Sequence, residues 1–138
     1  MHLIAFITCL VFIVLALWHF RMACFPHTGE SAAVPSVDGK PLFVPSRTAT
    51  LFVGVALLGC AALVGATAGL FWTGVPQRFL SWISYLMALG LLARAIGDFR
   101  YVGLFKKVRG SPFARLDTRL YSPLCLLLAA GVALVASR

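Results

Sequence analysis

The sequence predicts an all-α fold: an integral membrane four-helix bundle, with four transmembrane helices in up-down topology. Three observations carry this. The 138 residues are 61% hydrophobic and 12% charged, where an ordinary soluble domain has ~25% charged residues. The apolar residues gather in four blocks, at about 3–20, 48–72, 79–98 and 118–137, each near the ~20 residues that a helix needs to cross a hydrocarbon core. The length suits one compact unit, so residues 1–138 read as a single membrane domain.

The first block ends in Trp18 and His19. No Lys or Arg precedes it and no small-x-small cleavage site follows it, so it reads as a retained helix rather than a signal peptide. Arg21 and Met22 also spoil a lipoprotein reading at Cys24. Residues 21–47 hold Pro26, Pro35, Pro41 and Pro45 with Gly29 and Gly39, which excludes a continuous helix. The Leu42-Phe43-Val44 triplet suggests that this long connection rests partly on the membrane or the bundle, the alternative being a solvated loop.

The second block starts near Thr48, with Ser46 or Thr48 as cap, and runs to about Trp72. Ala61, Gly65 and Gly69 recur every four residues, a stripe on which a neighbouring backbone can approach. Residues 73–78, with Gly74 and Pro76, turn the chain into the third block. This is the polar span, carrying Ser81, Ser84, Tyr85, Gly90, Arg94, Gly97 and Asp98. Met87, Gly90, Arg94 and Asp98 fall near one face at the helical period. Trp72 and Trp82 flank the turn as an aromatic belt would.

Residues 99–117 interleave Arg100, Lys106, Lys107, Arg109 and Arg115 with Tyr101, Leu104, Phe105, Val108 and Phe113. The pattern is that of a segment lying at the interface, its cations at headgroups and its aromatics at the acyl boundary. A fourth helix begun at Pro123 would be only about 22 Å long by Ser137. That is short of a ~30 Å core. Begun at Thr118 with Asp117 as its cap it reaches twenty residues, and Pro123 then sits one turn inside, where its missing donor costs little.

Charge sets the orientation. With four spans, the first and third connections share one side. That side holds Arg21, Lys40, Arg47, Arg94, Arg100, Lys106, Lys107, Arg109, Arg115 and Arg119, leaving Arg78 and Arg138 opposite. By the positive-inside rule the long connections are cytoplasmic and both termini lie outside the cytoplasm. Glu30, Asp38, Asp98 and Asp117 lie on the same inner side. The net charge of +8 would suggest nucleic acid in a soluble protein. Here the cations flank apolar spans and no nucleic-acid motif is present, so the expected partners are the lipid bilayer and its anionic lipid headgroups, with no nucleic acid.

Arg94 lies about 22 Å along its helix from Phe79, inside the hydrocarbon boundary. A cation there needs a partner, and Asp98, one turn on, is the expected one. His19 reaches a similar level, and Asp117, Arg119 and Tyr121 stand at the start of the fourth span. The expected ligand-binding set is therefore His19, Arg94, Asp98, Asp117, Arg119 and Tyr121. In one reading the arginines hold an acidic head and His19 exchanges a proton. In the other, the set is an ion network that pins the helix ends.

His19, Met22, Cys24 and His27 offer soft ligands for copper or zinc, but their spacing is irregular and Pro26 intervenes, so no metal site is assigned. Cys9 and Cys60 lie at comparable depths, which admits a redox pair, although buried cysteine ordinarily just packs. The four cysteines lack C-x-x-C spacing, so no disulfide framework is expected. No triad order, paired carboxylates within one span, P-loop or dinucleotide fingerprint occurs. The residues therefore name no catalytic group and no cofactor.

The stretches Arg94-Ala-Ile-Gly97-Asp98-Phe99-Arg100, Gly103-Leu-Phe105-Lys106 and Phe113-Ala-Arg115-Leu-Asp117-Thr118-Arg119-Leu-Tyr121-Ser122-Pro123-Leu124 resemble a bacterial membrane family known as domain of unknown function 3995. The resemblance extends loosely to the histidine ending the first span and to the proline-rich connection. It implies a multi-pass protein of a bacterial inner (cytoplasmic) membrane and no particular activity. Three functions are then expected to compete. They are a binder of an anionic or lipid-like ligand at a cytoplasmic polar recess, a small transporter or channel built as a homo-oligomer, and an assembly subunit of a membrane complex.

Overall fold

A computed structural model describes residues 2–25 and 33–137. Its helices are α1 (His2–Cys24), α2 (Arg47–Thr67) and α3 (Gln77–Ile96), followed by a fourth span in three parts. Those parts are α4 (Pro112–Leu116), a π-helical turn (Asp117–Tyr121) and α5 (Ser122–Ala136). All four spans are long and apolar enough to cross a membrane, at about 30 Å or more each. The chain is a four-helix bundle in which α1 packs chiefly on α2 and α3 chiefly on α5.

A span that is apolar all round has no amphipathic stripe to select its buried face, so side-chain size selects it. On α1 the buried residues are Ala5, Thr8, Phe12, Ala16 and Ala23, mostly three or four residues apart and so on one face. Large side chains such as Leu10, Val14 and Leu17 point outward. α2 meets this face with Gly54, where a Cβ would overlap the Phe20 ring. It also meets it at Ala61, whose carbonyl accepts a 3.3 Å bond from Cys9 Sγ. At Gly131 of α5 a Cβ would lie 2.6 Å from Thr8 Oγ1, which marks the close crossing of α1 and α5.

The expected small-residue stripe is thereby revised. Ala61 and Gly65 are buried on α2, but the helix stops at Thr67, short of Trp72, and Gly69 (φ +70°) lies beyond it. Gly69 N–H bonds to Ala66 O and Leu70 N–H to Gly65 O, the paired bonds of a Schellman termination that calls for a residue able to take positive φ. Gly65 leaves room for the Phe71 ring that folds back over it, 2.9 Å from where a Cβ would stand.

In the first connection, Ser36–Val37 pairs antiparallel with Lys40–Pro41 across Asp38 and Gly39, both at positive φ. Asp-Gly is the strong signal for such a two-residue hairpin, and the sequence reading passed over it. Val34, Pro35 and Ser36 are the buried part of this segment, whereas Leu42, Phe43 and Val44 are exposed and do not rest on the bundle.

The fourth span also begins differently from expectation. Ser111, not Asp117, is the cap, its Oγ accepting from Ala114 N at 3.1 Å, and Pro112 follows at the first helical position, where its missing N–H is harmless. Pro123 therefore stands well inside the span rather than one turn from its start. Its ring would crowd the Arg119 carbonyl in a regular α-helix. The chain instead widens into the π turn, closed by Ser122 N–H to Asp117 O.

After α3 the chain doubles back so tightly that Gly97 (φ +86°) and Gly103 (φ +93°) touch backbone to backbone. A Cβ on Gly97 would overlap the Val102 carbonyl, and one on Gly103 would overlap Ile96 O. Gly97→Ala or Gly103→Ala is expected to destabilise the protein by at least about 1–3 kcal/mol. Gly59→Ala and Gly90→Ala, where nothing lies within 4 Å, should be neutral or stabilising by up to about 1 kcal/mol. Thermal unfolding of the four variants in one detergent checks the contrast.

Candidate functional site

The charged end of the bundle is built around the turn that leaves α3. Gly97 N–H still bonds to Ala93 O at 2.8 Å, after which the chain reverses, and Leu104 N–H returns to Ala95 O at 2.9 Å. Between them Asp98 holds the loop from inside. Its Oδ1 accepts the backbone N–H groups of Arg100 (2.9 Å), Tyr101 (2.7 Å) and Val102 (2.9 Å). Phe99 is forced to φ +59°, a conformation uncommon for a bulky residue. The amides of Val102, Tyr101 and Arg100 also hold the Asp98 carboxyl below its usual pKa.

Gly103 then points its N–H at Asp117, 2.7 Å from Oδ2. Asp117 is wholly buried, and its remaining acceptor sites are filled from three elements. Arg94 Nη2 of α3 lies 2.9 Å from Oδ1 and Lys106 Nζ of the loop 3.0 Å from Oδ2. Ser122 Oγ donates to Oδ1 at 3.3 Å. Lys106, only 1% exposed, uses all three of its donors, on Asp117, on Gly103 O at 2.8 Å and on Thr118 Oγ1 at 2.6 Å. Thr118 Oγ1 in turn donates a hydrogen bond to Ala114 O at 3.1 Å. A carboxylate offers about four lone-pair sites and an ammonium three protons, so the pair is saturated.

Of the expected site residues, the structure joins Arg94 to Asp117 directly and sets Tyr121 one turn away, its ring 5.9 Å from that of Phe113. The expected pairing of Arg94 with Asp98 does not form. Asp98 is used by the loop amides, and Arg94 instead reaches across to the fourth span. Arg119 is exposed and takes no part in the Asp117 bonds. His19 bonds within its own helix, Nδ1–H to Leu15 O at 2.7 Å, the proton being on Nδ1 because a carbonyl only accepts. Among the described residues no ion pair or hydrogen bond joins His19 to Asp117. Met22 and Cys24 close α1, His27 and Glu30 lie outside the described residues, and no metal-holding group of His, Cys, Asp or Glu gathers among the described ones. Cys9 and Cys60 are both free thiols.

Lys106 was missed as a site residue, having been read with its neighbours as facing headgroups. Two signals point to its role. Ser111-Pro112 is a helix start, which frees Asp117 from capping. Once Asp117 is inside a span it needs a buried cation. Arg94 Nη1 has the opposite character, being buried without a hydrogen-bond partner among the described residues. A recess of about 200 Å³, lined in part by Gly69, Trp72, Gln77 and Leu80, lies at the other end of the bundle, on the turn between α2 and α3. There Gln77 Nε2 donates to Thr67 O at 2.7 Å and Thr67 shares a 2.8 Å bond with Ser84, so its framework is already paired.

Asp117→Ala strands Lys106 as a buried unpaired cation and is expected to cost roughly 3–5 kcal/mol. In a double-mutant cycle, Asp117→Asn with Lys106→Met should lose less than the two single changes together, as detergent unfolding would record. Asp98 gives a pH dependence. Its folded pKa is depressed, so its contribution is fully present above the unfolded value of about 4 and is lost as pH falls through the lower folded value. Hydrogen exchange at Arg100, Tyr101 and Val102 should show added opening below about pH 4, and Asp98→Ala should open the same amides at neutral pH.

Neither the curated proteins nor the solved structures include a match to the chain. A family model does match, over residues 12–132, which takes in α1 from Phe12, the whole charged end and most of α5. The chain is therefore a multi-pass membrane protein belonging to the family described as protein of unknown function (DUF3995).

Proposed function

We propose that the protein binds an anionic, lipid-like ligand at the charged end of α3 and the fourth span, with that end facing the cytoplasm of a bacterial inner membrane. The observation that carries this reading is the unpartnered Nη1 of Arg94 beside a carboxylate whose own sites are full. Arg94 and Lys106 bring two positive charges to one negative charge on Asp117, so the cluster holds a surplus cation with donor capacity left. A guanidinium with one nitrogen committed to Asp117 and another buried without an acceptor keeps donor capacity that a phosphate or carboxylate oxygen entering beside it would satisfy.

Within this reading the expected residues divide by role. Arg94 is the ligand contact, and exposed Arg119 at the same end adds attraction for an acidic head. Asp117 and Tyr121 position the contact, and His19, with Nδ1–H bonded to Leu15 O, is left with Nε2 as an acceptor. Asp98 shapes the loop. The orientation rests on the excess of cations at this end.

Arg94→Lys keeps the charge and a bond to Asp117 but removes the planar fork. Native mass spectrometry of the purified protein in mild detergent should show an anionic lipid retained by the wild type. Retention should fall at least tenfold in Arg94→Lys with its unfolding temperature little changed. An Arg94→Lys protein that is folded and still carries the same lipid would overturn the proposal. The same spectra report any homo-oligomer.

A further inference from the structure

Residues 97–111 hold more order than a connecting loop requires, and that order serves to expose two aromatic rings. Phe99 and Phe105 are 57% and 60% exposed, yet their ring centroids stand 6.4 Å apart, so they form one apolar tip. Phe99 reaches it only through left-handed backbone geometry, held by the three amide bonds to Asp98 and by the contact of Gly97 with Gly103. Phe105 is fixed from the next residue, because Lys106 is buried and fully bonded. A strained residue kept in place by so many bonds points to a use for what it presents.

Cations outnumber acids in the segment that carries the tip. Arg100, Lys107 and Arg109 are exposed in the same segment, Arg100 lying over the Tyr101 ring at 5.0 Å. The acids nearby are Asp98, whose Oδ1 carries the loop amides, and buried Asp117. An exposed aromatic pair carried on a cation-rich segment is complementary to an anionic lipid surface, with acyl chains for the rings and phosphates for the cations.

We infer that the segment 97–111 is a preformed clamp on anionic phospholipid headgroups, with Phe99 and Phe105 entering the acyl boundary and Arg100, Lys107 and Arg109 holding the phosphates. This surface is distinct from the Arg94 contact and does not depend on it. The clamp needs no folding on binding, so its ordering cost is already met within the protein.

The test uses the full chain in nanodiscs of phosphatidylcholine alone or with phosphatidylglycerol, and reads hydrogen exchange across residues 105–110. Exchange in the wild type should be at least fivefold slower in the anionic discs, and the difference should shrink in high salt. The triple variant Arg100→Gln, Lys107→Gln, Arg109→Gln should lose that difference, while Phe99→Ser with Phe105→Ser should exchange faster in both lipids. Equal exchange of the wild type in the two lipids overturns the clamp, as does protection that appears only when another protein is added. Arg94→Lys should leave the lipid difference intact, so loss of the ligand at Arg94 and loss of the clamp are read separately.

Discussion

The charged end of the bundle depends on one buried carboxylate. Asp117 has no exposed side-chain surface, and an ionised group in that position is tolerable only when its lone pairs are met by charges and donors of good geometry. Arg94 from α3, Gly103 and Lys106 from the loop and Ser122 from the following turn together supply them. The contributors come from three different stretches of chain. None satisfies Asp117 alone, so the end of α3, the loop and the start of the fourth span have to close as a unit.

That closure explains irregularities which would otherwise look unrelated. For Gly103 N–H to reach Asp117 the loop must pass against the end of α3, which leaves no room for a Cβ at Gly97 or Gly103. The reversal then forces Phe99 into left-handed geometry, and the Asp98 carboxylate offsets the strain by collecting three loop amides. On the other side of the carboxylate, the π turn accommodates Pro123 and brings Ser122 onto Asp117 through both backbone and side chain. A regular α-helical turn would carry the Pro123 clash and would space these groups differently.

Much of the fold was legible in the sequence because a bilayer imposes simple requirements. Four apolar blocks of the right length are enough to give four helices, and α2 and α3 begin within two residues of where the sequence places them. Local chemistry was read less well where one residue type serves two purposes. Asp117 looks like a helix cap when Ser111-Pro112 is overlooked, and Gly69 looks like part of a packing stripe when it is the positive-φ residue of a helix end. Asp98 is one turn from Arg94 on the helical wheel, but the wheel does not apply past Gly97, where α3 has ended. Lys106 was hidden among exposed cations because sequence spacing does not reveal which lysine folds back. The charged end itself, with Arg94, Asp117 and Tyr121, was legible because ionisable residues within apolar spans are few.

The two halves of the bundle are held by different physics. α1 and α2 come together through missing side chains, Gly54 beneath Phe20 and Ala61 beneath Cys9, contacts that ask only for close approach. α3 packs chiefly on α5, but at one end it is joined to the fourth span by ions. Packing of small residues would have sufficed there too, and a buried ion pair is a weak source of net stability compared with apolar residues of similar volume. The charges at that end are therefore poorly explained by stability alone. What they add is a fixed local geometry, a surplus positive charge beside Asp117, and a loop whose shape is set by its own bonds.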